Sequence, residues 1–597
     1  MERDLGIKAE VINKALSVSI TAHKSPEKLC LVNWKIPNSP SQVIVAFPIS
    51  RSLDDWLAGD STAKPFGETK VDTKMFPSLK SIGKDVVATV NGAFMARFLR
   101  ILNDESGKFR AEVTKAVDKN KQIIFAGHSS GGPIAICATV WFLEEYVRSN
   151  KKQTPPRPLC LTFGSPLTTD RTFCHAVQRE GWSDCFVHFV TKLDIVPRIL
   201  LSPRSSATEL LKEIVSSSEP HHEPVSIDNL ASLFSNVMKN ASCVTSHAAC
   251  ELTGSKHTLF DTMSRFVKLS PYRPCGKYVF CTETGRLVVV KNPDAVLQML
   301  FYSLQIDSVT ELQKTAEGSL RAHWAYEDAL NKSLAPHSVV CLENLRELPL
   351  SSDDAALNDL NLFAPAKLCL RAAGELEKKK LDNQRRMEGK MGDIEKALVA
   401  LEKYRTASEQ DGVGYYDAFK LQKKEEDFKA NVKRLELAAI WDEIVELLRQ
   451  EQLRDGFEAD EKWVVLGTRF RRLVEPIDIA NYYRHSRDDV AGPYMKEGSR
   501  PSRYRFTQKW REHAEHLQAD SSGESFFWAK VEELKNKPWE KMSKDVLDLG
   551  ARLKKWYENK EVESDVFLKK STLVEWWQAL CKDHAELHGI LPIPPVE

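Results

Sequence analysis

Residues 121–145, KQIIFAGHSSGGPIAICATVWFLEE, constrain the fold more than any other part of this chain. A short apolar run ends in Gly127-His128-Ser129-Ser130-Gly131 and passes directly into a longer apolar run. A serine at the tip of a strand-to-helix turn sits in a strained backbone conformation, and glycines two before and two after it let strand and helix approach. Gly132 relieves the same crowding one residue later. The bare pentapeptide also arises by chance. Here Ile123, Ile124 and Phe125 supply a strand and Ile134 to Leu143 a helix. The spacing therefore predicts a nucleophile turn that presents Ser129 Oγ at the positive end of a helix running from Pro133.

The surrounding sequence fits the same scheme. Val43 to Phe47, Leu159 to Phe163 and Phe186 to Thr191 are continuous β-branched and aromatic runs, the pattern of strands buried on both faces of a parallel sheet. Between Ser202 and Val244 the composition turns polar and serine-rich, which reads as a surface excursion. Arg273 to Asn292 returns to strand-like alternation around Glu283-Thr284-Gly285, a hairpin, and Leu320 to Leu330 reads as one helix. Near Pro365 the texture changes to long, charged, strand-poor segments. Leu398, Leu401 and Tyr404, then Leu435, Ile440, Ile444 and Leu447, recur near helical spacing. The expected fold is an α/β domain over residues 1–365 and an all-α bundle over 366–597.

A serine hydrolase needs a nucleophile, a histidine base, a carboxylate that orients the base, and two N–H donors for the oxyanion. On an α/β-hydrolase sheet the order is Ser, Asp, His. Asp194 closes a buried strand after Ser129 and fits the carboxylate. For the base, His247, His257, His323 and His337 all follow, while His221 and His222 lie in the polar excursion. Sequence order leaves that choice open.

Composition narrows the alternatives. Lys plus Arg (84) balance Asp plus Glu (83), so no global field draws the chain to nucleic acid or an anionic membrane. The start, MERDLGIKAEV, lacks a signal-peptide core, and the run Pro133 to Leu143 is too short to span a bilayer. Twelve cysteines without a C-x-x-C pair read as reduced thiols in an intracellular protein with no metal site. The cluster from Lys378 to Arg386 has the look of a bipartite nuclear signal, although a solvated helix face is the simpler reading. From Arg484 to Arg511, arginines and lysines interleave with Tyr482, Tyr483, Tyr494, Tyr504, Phe506 and Trp510. Arginine forks grip phosphate and aromatic faces stack on bases, a mixture suited to a phosphorylated nucleotide. Nucleic acid is the broader alternative, and a tyrosine-rich core with exposed arginines the plainer one.

VIVAF…SLDDWLAGD, GHSSGG, TFGSP and TKLDIVPRIL, in this order, resemble the class 3 lipases. Together with YRPCG, the helical second half and EPIDIANYYRHSRDDVAGPYMKEGSRPSRYRFTQKW, the whole chain resembles the plant Enhanced Disease Susceptibility family of immune regulators. That resemblance implies a lipase-like α/β-hydrolase domain followed by the family's helical EP domain, and a triad on Ser129, Asp194 and His323. It implies a cytoplasmic and nuclear signalling protein that pairs with a phytoalexin-deficient-type or senescence-associated-type lipase-like sister and recruits helper immune receptors. It also implies no cofactor, but a small phosphoribosylated adenine nucleotide held between paired EP domains. The cavity-facing positions here would be Phe428, Tyr483, His485, Arg487 and Arg503, with Lys496 and Arg500 as further candidates. A partner-binding helix at Thr258 to Val267 would present Leu259, Met263 and Phe266; an ordinary core-facing helix is the competing reading.

The chain departs from an active lipase at the oxyanion loop. Class 3 lipases usually carry Arg-Gly-Ser/Thr there, and this chain has Pro48-Ile49-Ser50. Ile49 in place of glycine restricts the backbone beside the oxyanion, leaving Ser50 and Ser130 to form a partial hole. The expectation is a retained but unused triad within a scaffold; the alternative is a working esterase or acyl hydrolase.

Overall fold

The computed structural model describes residues 5–593, apart from 26, 58–63, 150–153, 217–225, 254–267, 307, 335–338, 351–353 and 497. Leu259, Met263 and Phe266, like His221, His222, His257 and His337, lie outside the described residues. The chain forms two compact units, Met1–Ser81 with Asp85–Lys378, and Ile82–Lys84 with Lys379–Glu597. The expected boundary at 365/366 lies near the start of helix Ala364–Gly389, and the division between the units falls inside that helix.

The first unit is built on an eight-stranded sheet, β1 (Leu31–Asn33), β2 (Gln42–Phe47), β5 (Gln122–His128), β6 (Leu159–Phe163), β7 (Phe186–Thr191), β8 (Lys277–Cys281), β9 (Leu287–Val290) and β10 (Val339–Cys341), in that spatial order. A separate two-stranded sheet pairs β3 (Glu68–Lys70) with β4 (Thr89–Asn91). Strands β2, β5, β6, β7 and β8 run parallel, with Ala46 opposite Ala126 and Phe47 opposite Gly127. Helix α1 (Ala9–His23) covers one face through Val11, Ile12 and Ala15, which pack with Ile44, Ile124 and Leu161. Helices α2 (Gly92–Leu102) and α3 (Gly131–Phe142) lie in the core of the other face, where Phe94, Phe98 and Trp141 meet Phe47 and Phe125. Layers on both faces explain why the strands are continuous apolar runs.

The turn from β5 into α3 has the strain its spacing predicts: Ser129 has φ of 53°. A Cβ on Gly127 would stand 2.2 Å from the Gly131 carbonyl oxygen, and one on Gly131 would stand 2.4 Å from that of Phe47. Both are far inside van der Waals contact, so only glycine fits at either place. The helix begins at Gly131, two residues before Pro133. The hairpin around Glu283 is present as antiparallel β8 and β9, with Gly285 at φ 84°.

In the first unit two expectations change. The serine-rich stretch is not simply a surface excursion: it holds helices Arg204–Ser216 and α4 (Ile227–Thr253), and Leu230, Phe234, Val237, Ala241 and Val244 are buried. Their spacing of three and four residues is an apolar stripe whose signal the intervening serines diluted. The single helix expected from Leu320 to Leu330 is two, α5 (Val309–Trp324) and α6 (Tyr326–Ser333), broken at Ala325.

The second unit contains α7 only from Lys379 onward (the helix is Ala364–Gly389), then α8 (Met391–Gln410), α9 (Glu425–Arg449), α10 (Glu461–Arg484) and α11 (Ser502–Ala514) among its helices. Helix α10 is the core element: Trp463, Phe470, Arg471, Val474, Glu475, Ile477 and Ala480 are all buried. Phe470 stacks between Trp441 and Tyr504, at 4.9 and 5.5 Å between ring centres. Leu398, Leu401, Ile444 and Leu447 are buried as their periodicity predicts, whereas Leu435 is exposed and Leu437 fills the core in its place. Lys379, Arg385 and Arg386 lie exposed along α7, a solvated helix face.

Candidate functional site

Ser129 is held by its own backbone, its N–H donating to the Phe163 carbonyl of β6 at 2.9 Å. Asp194 follows β7 and is fully buried. Its Oδ1 accepts from the Val196 N–H at 2.8 Å, its Oδ2 from the Tyr326 hydroxyl at 2.7 Å, and both oxygens lie 3.0 Å from His323 Nδ1. A carboxylate only accepts, so Nδ1 carries the proton and Nε2 is the bare, basic nitrogen. Nε2 has no hydrogen-bond partner among the described residues. Carboxylate and base are therefore in the relation that a triad requires, with Ser129 only 2 % exposed and without a hydrogen bond to that base.

The base is also fixed from the side. The His128 ring lies 4.7 Å from the His323 ring at 29°, and His23 lies 5.2 Å beyond His128. His128 Nε2 is 2.8 Å from the His323 carbonyl oxygen and must donate to it, which leaves His128 Nδ1 bare. Burial, then repulsion by His323 and His23, holds His128 well below the ordinary histidine range. Burial, then His323, Arg51 and Arg97, brings His23 down to about 4. At neutral pH these two rings are uncharged.

Two further residues were not visible in the sequence. Tyr326 anchors Asp194, and burial followed by the Asp194 charge pushes its phenol well above the usual range. Arg198, fully buried, donates to the Asp194 backbone carbonyl, to Leu300 O at 2.5 Å and to Ser303 Oγ at 2.9 Å. Their spacing is the signal that was available: Tyr326 comes one turn after His323, and Arg198 one turn after Asp194.

The oxyanion side is arranged differently. The Ser50 N–H donates to Ser130 Oγ at 2.7 Å, and the Ser50 hydroxyl donates to Asp55 Oδ2 at 2.6 Å. Arg97 on α2 donates to the Pro48 carbonyl at 2.8 Å, and Arg100 donates to Asp55 at 2.5 Å.

In the helical unit the seven candidate positions fall into two groups. Phe428 is 66 % exposed on the first turn of α9. His485, Arg487 and Lys496 are exposed and Tyr483 is half-buried, all at or just beyond the end of α10. Arg484 donates to His485 Nε2 at 3.0 Å. Arg500 points inward: it is 8 % exposed, with Nε and Nη2 on Glu475 at 2.6 and 3.0 Å and Nη1 on Gln508 at 2.7 Å. Arg503 bridges Asp442 at 2.8 Å and Asp478 at 2.7 Å. The ambiguity between Arg500 and Arg503 is thus resolved in space, with Arg500 in the core and Arg503 at its edge. Among the described residues no group of three or more His, Cys, Asp or Glu side chains is placed to hold a metal ion.

Comparison with known families finds a match in each unit. Residues 59–203 match the class 3 lipase family, a span that includes Ser129 and Asp194. Residues 399–588 match the EP domain of enhanced disease susceptibility 1 protein, a span that includes all seven candidate ligand positions. The chain is 39 % identical to protein EDS1L of Arabidopsis thaliana, over 97 % of this chain and 96 % of that one. It belongs to the enhanced disease susceptibility 1 family. More distant similarity extends to two other Arabidopsis thaliana proteins. Lipase-like PAD4 is 24 % identical over 77 % of this chain and 72 % of its own length, and senescence-associated carboxylesterase 101 is 21 % identical over 80 % and 72 %. As a family member the chain is a lipase-like protein of plant immunity, with an α/β-hydrolase unit followed by a helical EP unit. No helix among the described residues is long and apolar enough to cross a membrane.

Proposed function

We propose that this chain acts in immune signalling as a scaffold, in the cytoplasm and nucleus, without using its triad. Its lipase-like unit holds a sister of the PAD4 or carboxylesterase 101 type, and its EP unit supplies part of a composite pocket for a phosphoribosylated adenine nucleotide. The occupied pocket then recruits helper receptors. The observation that supports scaffold over enzyme is the hydrogen bond from the Ser50 N–H to Ser130 Oγ, which consumes an oxyanion donor beside a nearly inaccessible Ser129. The ligand half of the reading rests on Tyr483, His485, Arg487 and Lys496, which put an aromatic ring, an imidazole and two cations at one end of α10.

The test is to co-purify the chain with each sister and titrate the assembled pair with the nucleotide by calorimetry. Binding that needs both chains supports the composite pocket; a failure of both sisters to associate overturns it. The second reading, a working esterase, is favoured by the ordered Asp194–His323 pair. It requires turnover of a short-chain ester by the wild-type chain that Ser129→Ala abolishes.

A further inference from the structure

We propose that the Ser130 hydroxyl plugs the oxyanion site, and that Ser129 has an acyl- and phosphoryl-accepting reactivity held off by this plug. In an α/β-hydrolase the oxyanion is received by the N–H of the residue after the nucleophile and by an N–H from a loop that follows a neighbouring strand. Here the loop is Pro48-Ile49-Ser50 at the end of β2, and its Ser50 N–H is the second donor. That N–H is directed at Ser130 Oγ, 2.7 Å away, so a side-chain oxygen sits on the donor that a substrate oxygen needs.

The Ser50 hydroxyl offers no replacement, because its proton goes to Asp55. Nor is the loop free to swing: Arg97 grips the Pro48 carbonyl and Arg100 grips Asp55. The backbone of the nucleophile, the carboxylate and the base are each in place, although Ser129 is buried and makes no hydrogen bond to His323. Ser129 is in the strained conformation of a nucleophile, Asp194 is braced by Tyr326 and Val196, and His323 Nε2 has no partner among the described residues. Beside the burial of Ser129, the defect is one donor, satisfied internally by the side chain next to the nucleophile. Donors of this kind are worth roughly 10² to 10³ in rate, which is the size of effect expected from freeing one.

Removal of the plug is read with a fluorophosphonate probe on the full chain. Ser129 Oγ bonds to phosphorus, the P–F bond breaks, fluoride leaves, and the hydroxyl proton passes to His323 Nε2. The negative phosphoryl oxygen takes the Ser50 N–H. Ser130→Ala removes the competing oxygen and is expected to label about 10²-fold faster than wild type. Ser130→Thr keeps a hydroxyl and is expected to label at the wild-type rate; the Ser129→Ala, Ser130→Ala double variant is expected not to label. Ser130→Gly, also without a hydroxyl, decides the matter should the alanine variant fail to fold. Equal rates for wild type and the folded hydroxyl-less variant would overturn the proposal. So would acceleration by Ala and Thr alike, which marks loosened packing, or label mapped to a residue other than Ser129. The experiment reads Ser129 alone, so its failure leaves the scaffold proposal standing.

Discussion

One buried cluster in each unit holds its ionisable groups in the opposite state to the other. Buried His128 and half-buried His23 are neutral rings packed in a row towards His323, with bare nitrogens and, among the described residues, no carboxylate of their own. In the helical unit the buried groups are charged and matched: Arg500 with Glu475, and Arg471 with Glu524 at 2.7 Å. Burial alone would raise Glu524, yet Arg471, Arg472 and Arg511 bring it down to about 2. A neutral row with vacant nitrogens can take up protons and can do chemistry. A matched set of buried charges can do neither, and it instead fixes the helices that carry the exposed side chains.

The largest effect should come from breaking a matched pair. Glu475 accepts two bonds from Arg500 and one from Ser525 Oγ at 2.6 Å, so Glu475→Ala strands a buried guanidinium. The expected loss is about 3 to 5 kcal/mol, read as a lower urea midpoint of the helical unit by tryptophan fluorescence. A loss under about 1 kcal/mol, within the range of surface pairs, would mean that Arg500 escapes to solvent. The contrast between the units would then fail, and Arg500 would join the candidate ligand contacts.

The neutral row should respond to protons rather than to a single truncation. His23 titrates near 4 in the folded chain and near 6.5 when unfolded, so below 6.5 the unfolded state binds the proton first. The contribution is complete above pH 6.5 and is lost as pH falls towards 4, by up to about 1.4 kcal/mol per pH unit for each such histidine. His128 shifts in the same direction and steepens the loss. Urea titrations of the lipase-like unit between pH 7 and 4 should show this slope, and His23→Asn should flatten it by up to one histidine's share. An unchanged slope would mean that His23 is solvated and does not belong to the row.

What the sequence revealed differs between the units for a physical reason. The turn at Ser129 was legible because its strain forces glycine at fixed offsets, and the sheet because strands buried on both faces must be apolar throughout. Tyr326, Arg198 and the row from His23 to His323 were not legible. They are single residues brought together from α1, the β5 turn, the segment after β7 and the α5–α6 break, and the one-turn spacings of Tyr326 from His323 and of Arg198 from Asp194 do not by themselves mark a contact. The buried face of α4 was obscured because serine at its exposed positions reads as loop. In the helical unit the basic, aromatic composition was evident, but composition cannot show which way a side chain points. Arg500 and Arg487 look alike in sequence; only the position of Glu475 on α10 separates them.

That separation yields the smallest effect on stability and the clearest on function. Arg487 is exposed at the start of the short helix Arg487–Ala491, after Ser486 at φ 47°, and makes no ion pair with a described residue. Arg487→Ala should therefore change stability by no more than about 0.5 kcal/mol. In the assembled pair the same change should weaken the phosphoribosylated adenine nucleotide by about tenfold or more, the worth of one hydrogen bond to a charged group. Arg500→Ala should behave otherwise, losing stability and affinity together, because it acts through the helices it holds. Calorimetry of the pair beside urea melts of the chain tells the two apart. Undiminished affinity in both Arg487→Ala and Lys496→Ala would remove the end of α10 from the phosphate contact and leave Arg503, already shared between Asp442 and Asp478, as the remaining candidate cation of the set.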